Sequence, residues 1–118
     1  MAIFRGEVYF VELGPTRGRE LDDKRRPVVV VSSNDLNQKP LVVVVVPGTS
    51  WRDGRRVFDT EVKIDPTDEN GLTGPTVFPC LQIKALDHSR FDRDPVGNFS
   101  PTDIAAIEQC IKTCLVLS

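Results

Sequence analysis

The chain has 118 residues, of which 40% are hydrophobic and 27% charged, and its formal net charge at pH 7 is −2. This composition excludes a disordered polypeptide, a collagen-like fibre and a disulfide-rich scaffold. A chain of this length can bury a hydrophobic core of its own, so residues 1–118 are predicted to form a single domain.

The first half of the chain predicts short strands joined by polar loops. Residues 7–12 favour a strand, and the valine-rich residues 27–31 and 41–46 are too short for helices. Such apolar runs are typical of strands buried on both faces or lining a small barrel. Between them, residues 32–35 offer capping side chains for one helical turn.

In the second half, residues 57–64 alternate apolar and polar side chains, which predicts a half-buried strand. Residues 65–75 are rich in Pro, Gly, Asn and Asp and predict turns. Residues 76–85 are predicted to form a further strand. Pro79 has no N–H to donate, so this strand should lie at an edge or contain a bulge.

The C-terminal segment predicts the one long helix. Ser100 can cap it, Pro101 suits its first position, and Asp103 interacts favourably with its N-terminal dipole. One apolar stripe follows at helical spacing: Ile104, Ile107, Ile111, Cys114 and Leu115. The predicted fold is therefore mainly β, a small barrel with a C-terminal helix packed on it.

The sequence shows no feature of membrane insertion, secretion or metal binding. Its longest apolar run is far shorter than the ~20 residues that span a bilayer, and the N-terminus lacks signal-peptide regions. Three cysteines and one histidine, His88, show no ligand spacing. Cys110 and Cys114 are expected to be small buried side chains of the helix. We therefore expect a cytoplasmic protein with no membrane contact, no metal and no cofactor.

The charges are unevenly distributed along the chain. Residues 1–63 carry eleven Lys or Arg and nine Asp or Glu, whereas residues 64–118 carry four and eight. The planar guanidinium of arginine suits phosphate oxygens. The basic residues form two clusters: Arg17, Arg19, Lys24, Arg25 and Arg26, then Arg52, Arg55 and Arg56. They indicate either an anion site focused in a cleft or two solvated loops of mixed charge.

Few catalytic motifs are compatible with these residues. The glycine-rich phosphate-binding motifs are absent. A single histidine excludes two-histidine RNA cleavage within one chain, and His88 is expected in a surface turn. The remaining candidates for a functional site are the arginine side chains and hydroxyl groups at the ends of the predicted strands. Trp51 nearby offers either a stacking surface for an unpaired base or a lid over the barrel end.

Six segments in order resemble one known family. They are residues 5–10 (RGEVYF), 13–20 (LGPTRGRE), 26–33 (RPVVVVSS), 43–49 (VVVVPGT), 71–72 (GL) and 82–91 (QIKALDHSRF). Each is weak alone, but the ordered set covers nearly the whole chain and resembles the MazF/PemK family of toxin endoribonucleases.

The resemblance implies a plus-fold of the SH3-like barrel type that forms a homodimer. It also implies a cognate antitoxin whose C-terminal segment occludes the RNA groove. The implied activity is sequence-specific, metal-independent cleavage of single-stranded RNA, which inhibits translation and growth. In this chemistry the 2′-OH attacks the adjacent phosphate, leaving 2′,3′-cyclic phosphate and 5′-OH ends.

The resemblance also implies site residues. Arg26 and Thr49 match the catalytic pair assigned in several members, and Glu20 and Gln82 match positions that touch RNA. The loops around them add further RNA-binding candidates: Arg17, Arg19, Ser50, Trp51 and Arg52.

Elementary chemistry restricts the roles of these residues. Arg26 holds its proton too tightly to act as a base, so it should stabilise charge on the phosphorane. Thr49 would hold a phosphate oxygen or orient the 2′-OH. The general base is either Glu20 or water.

One departure separates this chain from some relatives, which place a catalytic Arg and Asp just before the position of Gln82. Here those positions are Pro79 and Leu81. Two alternatives stay open beside the nuclease. A gyrase inhibitor of the same fold would act through a C-terminal Trp-Gly-Ile, whereas this chain ends Leu-Val-Leu-Ser. A non-catalytic barrel that binds RNA or peptide is the other.

Overall fold

The computed structural model describes residues 2–21, 25–38 and 41–118. Within these ranges the strands form two antiparallel sheets. The larger has five strands: β1 (Glu7–Glu12), β2 (Arg25–Val30), β3 (Val42–Pro47), β7 (Lys84–Asp87) and β8 (Gly97–Asn98), in the order β7-β3-β2-β1-β8. The smaller has three: β4 (Thr49–Ser50), β5 (Glu61–Ile64) and β6 (Thr76–Pro79), in the order β4-β6-β5.

Both faces of the five-stranded sheet are buried, as the valine-rich runs predicted. One face packs with the N-terminal segment and the chain after β7; its core is Ile3, Tyr9, Val11, Leu13, Val28, Val30, Val43, Val45, Leu86 and Phe91. The other packs against the small sheet and the C-terminal helix; its core is Val8, Val29, Val46, Ile64, Leu72, Phe78, Cys80, Phe99, Ile107 and Cys110. Consecutive strand residues point to opposite faces, so Val28 and Val29 enter different cores.

The predicted helices are confirmed. Helix α1 (Asn34–Asn37) is one turn capped by Ser33, and α2 (Pro101–Leu115) begins after Ser100, whose Oγ accepts from the backbone N–H of Asp103 at 3.1 Å. The apolar stripe is shorter than predicted, because the Leu115 side chain is 47% exposed. The prediction of a mainly β fold with a C-terminal helix is confirmed.

The predicted strand over residues 57–64 is wrong in its first half, since β5 begins at Glu61. The Glu61 N–H donates to the Phe58 carbonyl at 3.0 Å, and Glu61 Oε1 accepts from the Phe58 N–H at 3.1 Å. These two bonds close a turn where the alternating pattern imitates a strand.

The predicted strand over residues 76–85 is divided. Strand β6 ends at Pro79, a 3₁₀ turn follows at Cys80–Gln82, and β7 lies in the other sheet. Pro79 therefore marks neither an edge strand nor a bulge. It is the last residue of the central strand and lies beyond the two residues paired with β4. The lack of an N–H at Pro79 therefore removes no hydrogen bond between β6 and β4.

Strand β2 begins two residues earlier than predicted, at Arg25, which places Arg26 within the sheet opposite Val11. No helix of the described ranges has the length and apolar character to cross a membrane. Nor do the described residues include a group of three His, Cys, Asp or Glu that could hold a metal ion.

Candidate nucleic-acid interface

The chain crosses from the large sheet to the small one at Pro47–Gly48. The Gly48 N–H donates to the Pro27 carbonyl at 2.8 Å, which holds the crossing against β2. A Cβ on Gly48 would lie 2.7 Å from Thr76 Cγ2 and 2.8 Å from Phe78 Cε2. Only glycine, which has no Cβ, lets the crossing pass this close to the Thr76 and Phe78 side chains of β6.

This crossing brings Arg26 and Thr49 together, although they are far apart in sequence. Arg26 comes from β2 of the large sheet, and Thr49 comes from β4, where it pairs with Val77. The Arg26 Nη1 donates to Thr49 Oγ1 at 3.2 Å. The hydrogen bond joins the two sheets and connects the two residues that the resemblance assigns to catalysis.

Arg26 lies in a cleft of about 390 Å³, called here the Arg26 cleft. Ser50 and Trp51, both RNA-binding candidates, line the same cleft. Its remaining walls are Phe10, Arg25, Pro27, Gly48 and residues 72–76. None of these described lining residues carries a carboxylate or an imidazole.

The wall at residues 72–76 is held by Asn70, which is 1% exposed. Its Oδ1 accepts from the N–H groups of Thr67 and Leu72, and its Nδ2 donates to the Asp65 carbonyl, all at 3.0 Å. All these polar atoms are satisfied, so the loop has a defined shape. The turn-rich composition of residues 65–75 predicted a loop but not this supporting role.

Arg25, the neighbour of Arg26 on β2, is held by two partners. Arg25 pairs with Asp92 at 2.8 Å and donates to the Phe10 carbonyl at 2.9 Å. The hydrogen bond from Arg25 holds the pKa of the Asp92 carboxyl below its ordinary value. Arg25 is therefore engaged in an ion pair, and Arg26 beside it donates to the Thr49 hydroxyl.

A second cleft, also about 390 Å³, gathers the other RNA-binding candidates and is called here the Gln82 cleft. The Glu20 Oε1 accepts from the Arg17 N–H at 2.6 Å, and Gln82 Nε2 donates to the Arg19 carbonyl at 3.1 Å. Its walls are Leu13, Arg17, Arg19, Glu20, Leu21, Pro47, Leu81, Gln82, Ile83 and Lys84. Because Pro47 lines this cleft and Gly48 the other, the two clefts meet at one peptide.

The structure does not bring every candidate into a cleft. Arg52 is exposed and lines neither. Thr49 also lines neither and adjoins the Arg26 cleft through its hydrogen bond with Arg26. Glu20 lines the Gln82 cleft rather than the Arg26 cleft. Lys24 of the first basic cluster falls outside the described residues. His88 begins a 3₁₀ turn, His88–Arg90, and lines neither cleft, in agreement with its predicted turn position.

The second basic cluster is largely engaged internally. Arg55 pairs with Glu61 at 2.8 Å, and the guanidinium of Arg56 lies 5.1 Å from the ring centroid of Phe58. The hydrogen bond from Arg55 holds the pKa of the Glu61 carboxyl below its ordinary value. Arg55 and Arg56 therefore stabilise the loop before β5.

Two features of the site were not recognised in the sequence. Lys63 Nζ lies 4.1 Å from the ring centroid of Trp51, a contact that depends on how β5 pairs with β6. Lys84 adds a cation to the Gln82 cleft. Leu81, one of the two positions where the chain departs from the resembled family, is 62% exposed and lines that cleft.

The three cysteines form no disulfide; Cys80 and Cys110 are buried, whereas Cys114, which was expected to be buried, is only partly so. Burial raises the pKa of the Cys80 thiol, and it does the same for Cys114. Because the thiolate is the nucleophilic form, these side chains are poor candidates for covalent chemistry.

Comparison with known proteins adds to this geometry. The family model described as PemK-like, MazF-like toxin of type II toxin–antitoxin system matches residues 4–115. The chain is 32% identical over 118 aligned positions to the endoribonuclease MazF9 of Mycobacterium tuberculosis, covering 96% of each protein.

Solved structures share the fold over the same length. An endoribonuclease in complex with its cognate antitoxin, from a mycobacterial species, is 29% identical with a TM-score of 0.76, covering 99% of this chain and 98% of that one. MazF from Deinococcus radiodurans is 20% identical with a TM-score of 0.80, covering 98% of both chains, and shows the same fold.

Proposed function

The chain belongs to the PemK-like, MazF-like toxin family of type II toxin–antitoxin systems, and from this premise we propose that it is a metal-independent endoribonuclease. Its substrate is single-stranded RNA, cut at short sequences, and the loss of messenger RNA stops translation and growth. This substrate would place the protein in the cytoplasm. Residues 1–118 would then form one toxin domain, which the family match over residues 4–115 supports.

The hydrogen bond from Arg26 to Thr49 is the observation that carries the proposed mechanism. With a phosphate in the Arg26 cleft, the Arg26 guanidinium would donate to its non-bridging oxygens. Charge on those oxygens grows in the phosphorane, so this contact strengthens towards the transition state. The Thr49 hydroxyl accepts from Arg26 and keeps its own proton to donate to a phosphate oxygen.

In the proposed step the ribose 2′-oxygen forms a bond to the adjacent phosphorus while the bond from phosphorus to the 5′-oxygen breaks. The products are a 2′,3′-cyclic phosphate and a 5′-OH. Glu20 lines the neighbouring Gln82 cleft, where its Oε1 already accepts from the Arg17 N–H. We therefore assign water as acceptor of the 2′-OH proton and as donor to the leaving 5′-oxygen.

The two clefts supply the proposed RNA contacts. Ser50 and Trp51 act beside the cleaved phosphate, and Arg17, Arg19, Glu20 and Gln82 act on the nucleotides that pass over the Pro47–Gly48 peptide. Arg52, which is exposed outside both clefts, is retained only as a contact to flanking phosphates. Phosphate contacts position the strand, whereas the polar side chains of the Gln82 cleft can read base edges.

The mechanism is tested with a long single-stranded RNA in EDTA, followed by mapping of the fragment ends. We expect discrete cuts with 5′-OH and cyclic phosphate ends, and a synthetic RNA with one 2′-deoxyribose at a mapped site should stay intact there. Cutting of the deoxy position, or loss of activity in EDTA, would contradict the mechanism. Intact RNA from folded protein, free of antitoxin and tested on several RNAs, would favour a binding or gyrase-inhibiting role.

We further propose that the protein is a homodimer, because an apolar groove of about 430 Å³ lies outside the Arg26 cleft and shares only Ile83 with the Gln82 cleft. Leu36 and Leu117, which line it, are 59% and 56% exposed. Exposed apolar area of this kind is typical of protein interfaces. Sedimentation velocity should give twice the chain mass for the wild type and a monomer for the double variant Leu36→Asp, Leu117→Asp. A monomeric wild type at micromolar concentration would contradict the proposal.

A cognate antitoxin is the second proposed partner. The mycobacterial relative described above was solved with its own antitoxin. We propose that the C-terminal segment of this chain's antitoxin covers the two clefts and excludes RNA. The Gln82 cleft contains side chains of both charges and therefore suits a peptide that carries both acidic and basic residues. These side chains are Arg17, Arg19, Lys84 and Glu20.

A further inference from the structure

The indole of Trp51 is held at several points where it lines the Arg26 cleft. Its Nε1–H donates to the Arg55 carbonyl at 3.1 Å, and its backbone N–H donates to the Pro75 carbonyl at 2.9 Å. Lys63 Nζ lies 4.1 Å from its ring centroid, within the range of a cation–π contact. The ring is nevertheless only partly buried.

The carbonyl that accepts from Trp51 belongs to a braced loop. The Arg55 guanidinium donates to both oxygens of Glu61, at 3.1 and 2.8 Å, and Glu61 also accepts from the Phe58 N–H. The Glu61 side chain is only 10% exposed, so this ion pair is shielded from solvent on one side. A two-point arginine–carboxylate pair fixes direction as well as distance.

The position of Lys63 is determined by its strand and by an ion pair. It lies on β5 opposite Val77, and its Nζ is 3.5 Å from Asp65 Oδ1. Thr49 of β4 pairs with the same Val77. The strand that carries Lys63 is therefore in register, through β6, with the strand that carries the proposed catalytic threonine.

We propose that Lys63 and the Arg55–Glu61 pair are positioning residues that hold the Trp51 indole as a stacking surface for an unpaired nucleobase beside Arg26. This inference rests on the proposed function. Stacking on an aromatic side chain is favourable for every base, so the contact would orient the strand without selecting its sequence. An indole that is already ordered loses less conformational entropy when the base binds.

Trp51 is the only tryptophan of the sequence, so fluorescence excited selectively at the indole reports on this side chain alone. Lys63→Met keeps the length of the side chain and removes its charge, while Lys63→Arg keeps a cation that can stack on indole. Arg93→Met removes an exposed cation that lines neither cleft and serves as the matched control. Circular dichroism and the unfolding midpoint check that each variant is folded.

In the free protein we expect acrylamide to quench Trp51 more efficiently in Lys63→Met than in the wild type, in Lys63→Arg or in Arg93→Met. Binding of a single-stranded 2′-deoxy oligonucleotide with the mapped target sequence should weaken in Lys63→Met by at most about three-fold, because the energy of the lost cation–π contact is the upper limit of the pre-ordering effect. Lys63→Arg should bind like the wild type. The slope of log affinity against log salt should be the same for Lys63→Met and wild type.

Two results would overturn the inference. Unchanged quenching in Lys63→Met would show that Lys63 does not order the indole. A salt slope smaller by about one would show a direct phosphate contact instead. Failure of the proposed function is a separate result: a wild-type protein that neither cleaves nor binds RNA still gives a clear quenching comparison.

Discussion

Replacing Arg26 by alanine is expected to lower kcat/KM for RNA cleavage by about 10²–10³-fold, the cost of removing one preorganised donor from an oxyanion site. The guanidinium donates to Thr49 Oγ1 at the meeting point of the two sheets, so its direction is set by β2 and β4 together. The variant should fold, because the hydrophobic cores of both sheets are formed by other residues. Single-turnover cleavage of a short RNA measures the effect.

Two further variants show whether charge alone or the guanidinium geometry is responsible. Arg26→Lys keeps the charge but loses the planar donor pair, so it should recover only a small part of the rate. Arg93→Ala, which removes an exposed arginine that lines neither cleft, should cleave like the wild type. If Arg26→Ala cleaves at the wild-type rate, Arg26 is not in the catalytic site.

The elements that the sequence predicted well are those with strong local signals. The valine runs specify buried strands because β-branched side chains favour extended backbone and both faces are covered. Helix α2 begins at the predicted residue, because a Ser cap followed by Pro is a local signal independent of tertiary contacts. The strand predicted at residues 57–60 is wrong, because an alternation of apolar and polar residues does not show that the Glu61 carboxylate accepts a hydrogen bond and closes a turn.

The candidate site was predictable only in part. The association of Arg26 with Thr49 came from the family resemblance, because nothing in the spacing of two residues on different strands specifies that they meet. The division of the RNA-binding candidates into two clefts follows from the sheet crossing at Gly48, a tertiary feature. The contact of Lys63 with Trp51 depends on strand register, which one sequence does not specify.

The wall of the Arg26 cleft depends on a glycine, and Gly71→Ala is expected to lower the free energy of unfolding by about 3 kcal/mol. Gly71 has φ +67°, where an L side chain is strained by roughly 1–2 kcal/mol. An added Cβ would also overlap the Val96 carbonyl oxygen, and relieving such a contact costs about 1–3 kcal/mol. Backbone surrounds the site, so no flexible side chain can move away.

Gly74→Ala is the matched control, since it lies in the same loop and a Cβ there would meet nothing within 4 Å. Its stability should stay within about 1 kcal/mol of the wild type, because a compatible Gly→Ala change acts mainly on the unfolded chain. Urea unfolding of both variants gives the comparison directly. Equal stability of the two would show that the loop relaxes around the new methyl group, and that the cleft wall at residues 72–76 is not rigidly held by the segment before β8.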